Sequence, residues 1–577
     1  MEETTHMAKM TGAKYFADAM VDYGVSHIFF VPAFMLKSFA EMEDLPIARV
    51  MTHGEKSAAY MADGYARASG KPGVCMAQMI GASNLAAGLR DAYMAGSPVI
   101  AITGGPTPVS RHRHAYQEVD DITQFTCLTK SNLSVDTVGR LPDLLRQSFR
   151  MATSGSPGPV HLRIQSHLGQ ITEAEVELNP LAEKMYSKAP AFRPAPNTND
   201  VKAALDLLLK AQRPIVIAGG GVMRSEAQKE LLQFIEKMKI PVATSLNSKS
   251  AVADHHPLNV GVPGSYSRDC ANRAVHEADL IFFIGSHTGG QVTNNWMFPS
   301  ADKPVIQLDI DPAELGRNYP NIVSILGDAK VSLQTLFQMA PDRPSSDLSA
   351  WRARVQEMVK EWRTENDKLS TSNASPIIPP RICREISNAL PENGVVVSDT
   401  GHAGIWTSRF IELNHPEQRY FRTSGSLGWA FPASLGVKCA LPDQPVVCFT
   451  GDGGFYYHIG ELETAKRHNI NTVVVVNNNS ALNQEIRLND SAYGGKQRGR
   501  SEEMWRFPEL NFADVAKSFG VAGIRVEKAE DLRGALDEAI AMNKPVVVDV
   551  ATDMYAIAEH PWTATGRDFH SYQKTGA

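Results

Sequence analysis

The chain has 577 residues, 43% of them hydrophobic and 21% charged, with a net charge of -6. That length exceeds one core and predicts about three or four domains of roughly 150 residues each, or fewer larger ones. The small charge without a Lys/Arg block argues against nucleic acid, and apolar runs that fall short of about 18 residues argue against membrane spanning. The start, MEETTHMAKMTGAKYF, lacks a signal-peptide core, and Cys75, Cys127, Cys270, Cys383, Cys439 and Cys448 lack CxxC spacing. A cytoplasmic protein with reduced core thiols is expected.

In chain order, short apolar runs alternate with Gly-rich turns and helical periodicity. HIFFV (27–31), PVIAITG (98–104) and GPVHLRI (158–164) predict strands of a first unit, residues 1–182. SKAPAFRPAPNTND (187–200) reads as a Pro-rich linker. PIVIAGG (214–220), LIFFIG (280–285) and PVIQLDI (304–310) predict a second unit, residues 198–340. A charged helical stretch (351–369) leads to a third, residues 372–553, with strands GVVVSD (394–399), PVVCFTG (445–451), NTVVVVN (471–477) and PVVVDV (545–550). The fold class is therefore α/β, three doubly wound parallel-sheet domains covered by helices. The tail, 554–577, carries Trp562, Phe569 and Tyr572 and is expected to fold back as a candidate lid.

The third unit carries the chemistry. PVVCFT runs into GDGGF (451–455), and twenty-four residues separate Gly453 from Asn478. A Gly-rich turn at a strand end lets backbone N–H groups approach an anion, and a helix over HIGELETAKRHNI points its positive end there. Asp452 offers a hard oxygen and Asn479 an amide oxygen, a pair suited to Mg²⁺ held between protein and a diphosphate.

GDGGF followed at this interval by NNN resembles the cofactor motif of the thiamine-diphosphate-dependent enzymes, the acetolactate synthase, pyruvate decarboxylase and benzoylformate decarboxylase group. The resemblance implies that Asp452, Asn479 and the Ala481 carbonyl hold the metal, with Gly451, Gly453, Gly454 and Leu482 beside the diphosphate. HGEKSAAYMADGYARASGKPGV (53–74) resembles the family segment whose lone glutamate, here Glu55, bonds the pyrimidine ring and activates the cofactor. RTSGSLGWAFPASLG (422–436) resembles the stretch that packs Leu427 beneath the cofactor and offers the Gly425 carbonyl. SDTGHAG (398–404) brings Thr400, Gly401 and His402, and MIGASN (79–84) brings Ser83 and Asn84, with Ile80 where the family has proline. AYQEVD (115–120) places Gln117 on the substrate side, while Ala33 and Phe34 in FVPAF replace the usual glycines. One cofactor gripped by residues as far apart as Glu55 and Asp452 implies, in this family, a homodimer or homotetramer with sites in the seam.

RPIVIAGGGVMRSEAQ (213–228) to VIQLDIDPAELGRNYP (305–320) resembles the family's central Rossmann-like domain, which holds FAD in acetolactate synthases, ADP in the oxalyl-CoA decarboxylase branch and nothing in others. GGGVMRS suits a phosphate or a bare tight turn, and GSHTGGQVT (285–293) lacks the Arg and Asp residues of a flavin loop. Glu485, six residues past Asn479, stands where acetolactate synthases are apolar and where pyruvate decarboxylases and some 2-hydroxyacyl-CoA lyases carry a proton-relaying glutamate. The expectation is therefore a small-molecule lyase or carboligase of the 2-hydroxyacyl-CoA lyase type. The alternatives are an acetolactate synthase-like carboligase acting on 2-keto acids and a non-catalytic cofactor-binding relative. Glu485 also reads simply as a first-turn acid on a helix dipole.

Overall fold

The computed structural model describes residues 8–107, 109–179, 182–342 and 347–565. Among them, strands form three six-stranded parallel sheets and one antiparallel pair, Ala8–Thr11 with Glu175–Leu178. The N-terminal sheet runs Ala48–Met51, His27–Phe30, Gly73–Ala77, Val99–Gly105, Val160–Gln165, Ser131–Val135 from edge to edge. The C-terminal sheet repeats its topology as Arg419–Arg422, Val395–Ser398, Val446–Gly451, Thr472–Asn478, Val546–Ala551, Ala522–Val526. The central sheet, Asn259–Gly261, Val242–Thr244, Pro214–Ala218, Leu280–Ile284, Val305–Asp309, Asn321–Leu326, has the strand order of dinucleotide-binding folds. No helix among the described residues is long and apolar enough to cross a membrane.

The strands that appear as apolar runs are inner ones, such as Val160–Gln165 and Val305–Asp309, buried along their whole length. The edge strands Ala48–Met51, Ser131–Val135, Asn321–Leu326 and Ala522–Val526 are only partly buried and show no such run. A strand covered on one face needs no continuous apolar stretch.

The outer units meet through two helices, Glu55–Ser69 and Ala430–Ala440. Their backbones nearly touch: a Cβ on Gly64 would fall 2.1 Å from the Ala433 carbonyl oxygen, and one on Gly436 1.9 Å from that of Met61. Polar groups seal the crossing. Trp429, fully buried, donates its Nε1–H to Asp63 at 2.9 Å, and the Arg67 guanidinium lies 4.5 Å over its ring. Arg67 also binds Asp63 and donates to the Arg422 carbonyl at 2.7 Å. Asp91, on helix Ala82–Ala95, accepts from the Thr423 hydroxyl and from the N–H groups of Ser424 and Ser426.

The central unit is tied to the C-terminal one by buried Asp254, paired with Arg268 at 2.6 Å and Lys249 at 3.2 Å. Asp254 also accepts from Leu413 N–H, while Arg268 donates to the carbonyls of Arg409 and Ile411. The described part of the tail leads to the central unit, where Trp562 stacks on Phe298 and bonds Asp269 and Asn272. Phe569 and Tyr572, named with it as lid residues, lie outside the described residues.

Gly64→Ala or Gly436→Ala drives a methyl into a backbone carbonyl, and overpacking of this kind costs about 1–3 kcal/mol or more. Thermal unfolding of both variants is expected to show a lowered midpoint; Gly534→Ala, at an exposed position of helix Leu532–Ala541 where nothing lies within 4 Å, is expected to raise it slightly.

Candidate active site

Parallel pairing sets the site's height. Gly451 pairs with Asn477 in adjacent strands, so Asp452 and Asn479 emerge side by side at their carboxyl ends. Asp452 Oδ1 accepts from Gly453 N–H at 2.7 Å, and Oδ2 accepts from Asn479 and Ala481 N–H at 3.1 and 3.2 Å. Asn479 Oδ1 accepts from Ala481 N–H at 3.1 Å, with Ser480 between them in the left-handed region at φ 56°. Asp452 is 3% exposed, and among the described residues no cationic side chain pairs with it. Burial pushes its carboxyl up to about 6.

The described residues contain no cluster of three His, Cys, Asp or Glu side chains suited to a metal. One buried carboxylate with an amide oxygen and a carbonyl instead suits Mg²⁺, which takes oxygen donors and completes its shell from phosphate and water. The neighbouring asparagines do other work. Asn478 Nδ2 donates to the Leu510 carbonyl and to Asp549, and the buried Asn477 Oδ1 has no partner. The helix expected over 458–470 is shorter, Glu461–Arg467, and a separate short helix, Asp452–Tyr456, precedes it and opens on Asp452 itself.

Three loops close around Asp399, a residue the sequence reading passed over while choosing its neighbours. Its Oδ1 accepts from Thr400 N–H at 2.8 Å and Gly428 N–H at 3.1 Å, and Oδ2 from the Thr450 hydroxyl at 3.1 Å. Desolvation raises this carboxyl to about 6 as well. An acid at a strand's carboxyl end, directly before Thr-Gly, was the available signal. Gly428, at φ 88°, brings its Cα close to the Gly454 carbonyl, and Leu427 beside it is half-buried, while Gly425 is exposed at φ 139°. Gly401, at φ 63°, leads into helix His402–Phe410. His402 Nδ1 bonds Asn483 Oδ1 at 2.7 Å, and burial lowers it to about 4, so the imidazole is neutral. Leu482 fills the space over Gly453, where a Cβ would fall 2.5 Å from its Cδ2.

Glu55 opens helix Glu55–Ser69 and is half-buried. Its Oε2 accepts from Asn84 Nδ2 at 3.2 Å, and a Cβ on Gly81 would fall 2.3 Å from Oε1. Gly81 is thus the steric requirement in MIGASN, while Ile80 and Ser83 beside it are exposed. Among the described residues no hydrogen bond joins Glu55 to Asp452 or Asn479. Its helix start meets the C-terminal unit elsewhere, through His53 N–H on Glu461 and Ser57 on His458.

Gln117 sits at φ 61° with a buried Oε1 that lacks a partner, and no hydrogen bond brings it to Glu55. Phe34, which stands where the family has glycine, is buried in the N-terminal core against Gly169. Glu485 opens helix Glu485–Ala492, half-buried, with no hydrogen-bonded or ion-paired partner for its carboxylate among the described residues.

Comparison with known proteins agrees with this arrangement. The N-terminal TPP binding domain of thiamine pyrophosphate enzymes matches residues 10–125, the central domain 201–336 and the C-terminal TPP binding domain 399–550. A probable acetolactate synthase large subunit of Methanocaldococcus jannaschii is 33% identical over 557 residues, 94% of this chain and 92% of that protein. The chain belongs to the thiamine pyrophosphate enzymes. The acetolactate synthase large subunit of Haemophilus influenzae is 30% identical, covering 95% of each chain, and the isozyme 2 large subunit of Escherichia coli is 30% identical over 94% of this chain and 96% of its own. Such relatives support the acetolactate synthase alternative over the 2-hydroxyacyl-CoA lyase type that Glu485 had suggested. This thiamine pyrophosphate enzyme is accordingly a carbon–carbon bond enzyme of the lyase and carboligase kind.

Asp399 yields a test of the site's electrostatics. Its folded value of about 6 exceeds the unfolded value of about 4, so the folded state binds more protons between them and stability falls as pH rises through that window. Asp452 contributes a fall of the same sign. In cofactor-free protein followed by urea unfolding from pH 4 to 7, Asp399→Asn is expected to remove Asp399's share, on the order of 2 kcal/mol, and leave that of Asp452. Asp399→Ala, which orphans buried donors, is expected to destabilise by about 1–3 kcal/mol at pH 5.

Proposed function

We propose that this protein is a thiamine-diphosphate- and Mg²⁺-dependent carboligase that decarboxylates one 2-keto acid and joins the remaining acyl unit to a second, the acetolactate synthase type of reaction. The observation that carries it is the buried Asp452 carboxylate, bonded only to neutral N–H groups where two adjacent strands end. The names of relatives matched over nearly the whole chain supply the reaction type.

Asp452, Asn479 and the Ala481 carbonyl would hold Mg²⁺. Gly451, Gly453, Gly454, Thr400, Gly401, His402 and Leu482 would surround the diphosphate. Leu427, the Gly425 carbonyl, Ser83 and Asn84 would position the rings. When bound, thiamine diphosphate supplies a nucleophilic carbon that also accepts the electron pair of a cleaved C–C bond. Glu55 holds the proton exchanged with the pyrimidine ring, and Asn84 orients its carboxyl. Gln117, with its unpartnered amide oxygen, would meet substrate.

The site would need two copies of the chain, as a homodimer or homotetramer. Among the described residues no hydrogen bond joins Glu55 to Asp452 within one chain, and Ile80, next to the Gly81 that packs on Glu55, is 50% exposed. In the central unit, a cavity of about 270 Å³ at the strand ends, lined in part by Gly219, Ser245, Gly285 and Gln291, would take the adenine nucleotide, ADP or FAD. Heat-released supernatant is expected to contain an adenine nucleotide, and visible absorption assigns it as FAD or ADP.

With thiamine diphosphate and Mg²⁺, pyruvate is expected to give acetolactate and carbon dioxide; turnover of a 2-hydroxyacyl-CoA without acetolactate would overturn this reading. Glu55→Gln is expected to keep cofactor affinity and lower kcat by roughly 100-fold or more. Glu485→Ala, which removes a carboxylate that nothing among the described residues orients, is expected to keep kcat within a few fold. A loss of roughly 100-fold would instead assign Glu485 to proton transfer.

A further inference from the structure

The helix that opens on Glu55 has no side-chain cap, since Gly54 stands at its N-cap position. One segment of the C-terminal unit, residues 458–467, fastens its entry and first turn. Arg467 donates to the Met51 carbonyl at 2.9 Å, the buried Glu461 carboxylate accepts from His53 N–H at 3.1 Å, and the Ser57 hydroxyl bonds His458 Nδ1 at 2.8 Å. These contacts fall on both sides of Glu55, whose own carboxylate has one hydrogen-bonded partner among the described residues, Asn84 at 3.2 Å.

His458 lies outside the site described above, yet its ring is fixed. Its Cδ2 sits 3.2 Å from where a Cβ on Gly428 would stand, and the Tyr60 ring meets it at 5.5 Å, edge to face. Burial, with the Lys56 ammonium nearby, lowers it to about 4, so the imidazole is neutral at pH 7. A neutral imidazole carries one N–H, and its surroundings choose which nitrogen bears it. Burial raises the Glu461 carboxyl, and the Thr464 and Ser57 hydroxyls pull it back down as donors. A Ser57 proton directed at Glu461 leaves Oγ to accept from Nδ1–H. Nε2 is buried and has no partner among the described residues, and a buried acceptor without a partner is tolerated more often than a buried N–H without one. Both observations favour the Nδ1–H tautomer.

We propose that His458 is a positioning residue for Glu55: it donates from Nδ1 to Ser57 and so holds the first turn of the helix that carries the carboxyl. Residues two apart on a helix do not face each other, so the grip on Ser57 acts through the helix and not on the Glu55 carboxyl itself. A carboxyl that must exchange a proton with a cofactor ring depends on such support, because displacement by about 1 Å costs rate. The inference rests on the role given to Glu55 in the proposed reaction.

The test follows exchange of the cofactor's C2 proton for deuterium in full-length protein loaded with thiamine diphosphate and Mg²⁺, a measurement that needs no substrate. Asparagine places an amide N–H where Nδ1–H stands, whereas glutamine places one at the position of Nε2. His458→Gln and Ser57→Ala are expected to slow the exchange roughly tenfold or more, and His458→Asn to stay within about threefold of wild type. In cofactor-free protein labelled with ¹⁵N-histidine, the His458 signals, assigned by their loss in His458→Asn, are expected to report the Nδ1–H tautomer. Exchange left unchanged by Glu55→Gln would remove Glu55 from cofactor activation, and the proposed reaction would lose its proton-exchanging residue. Exchange slowed by Glu55→Gln but at the wild-type rate in His458→Gln would overturn the positioning role alone. Equal slowing in His458→Asn and His458→Gln overturns that role as well, as does an Nε2–H tautomer in the wild-type protein, which decides the matter where a variant fails to fold.

Discussion

At Gly64 and Gly436 two helices from opposite ends of the chain come so close that a side chain on either would penetrate a carbonyl of the other. Such an approach leaves no room for adjustment, so it sets how the two outer sheets lie relative to each other. The polar groups around it follow from that proximity. Trp429 can reach Asp63, Arg67 can cover the indole, and Asp91 can hold the 423–426 turn only because the helices are in contact. Each of these groups would carry a desolvation cost if left alone, and each finds its partner on the other unit.

The same crossing connects the site to the rest of the molecule. The turn held by Asp91 runs directly into Gly428, which donates to Asp399, which also fixes Thr400 and Thr450. Three strand-end loops are thus fastened to one buried carboxyl, and the N-terminal unit steadies one of them. Asp452 stands next to this hub with no cation of its own. Two buried acids with raised proton affinity a few residues from Gly-rich turns are poorly suited to an empty site and well suited to one that receives a cation. Destabilising groups of this kind concentrate where a ligand acts.

Sequence legibility followed burial. Inner strands such as Val446–Gly451 and Thr472–Asn478 are covered on both faces and stand out as valine-rich runs. Edge strands, at most three to six residues long and often half-exposed, do not. At the site, Asp452, Asn479, Glu55 and the glycines stood out because they lie in motifs that recur with fixed residue types and spacing. Asp399 and Gly81 were not, since an acid after a strand and a glycine before a helix are common for many reasons. Glu485 pointed to a reaction the relatives do not support: one position was asked to decide between chemistries, and among the described residues its carboxyl has no partner to orient it.

What the sequence alone determined is whatever depends on local order: three α/β units, the cofactor-like motif with its oxygen-bearing residue types and the family they resemble. Tertiary structure alone decided the helix crossing, the Asp399 hub and the burial of Asp452 among N–H groups. The reason is physical. Periodicity and motif spacing are properties of neighbouring residues, whereas a buried acid or a close backbone contact is defined by what lies across from it, and that partner comes from hundreds of residues away.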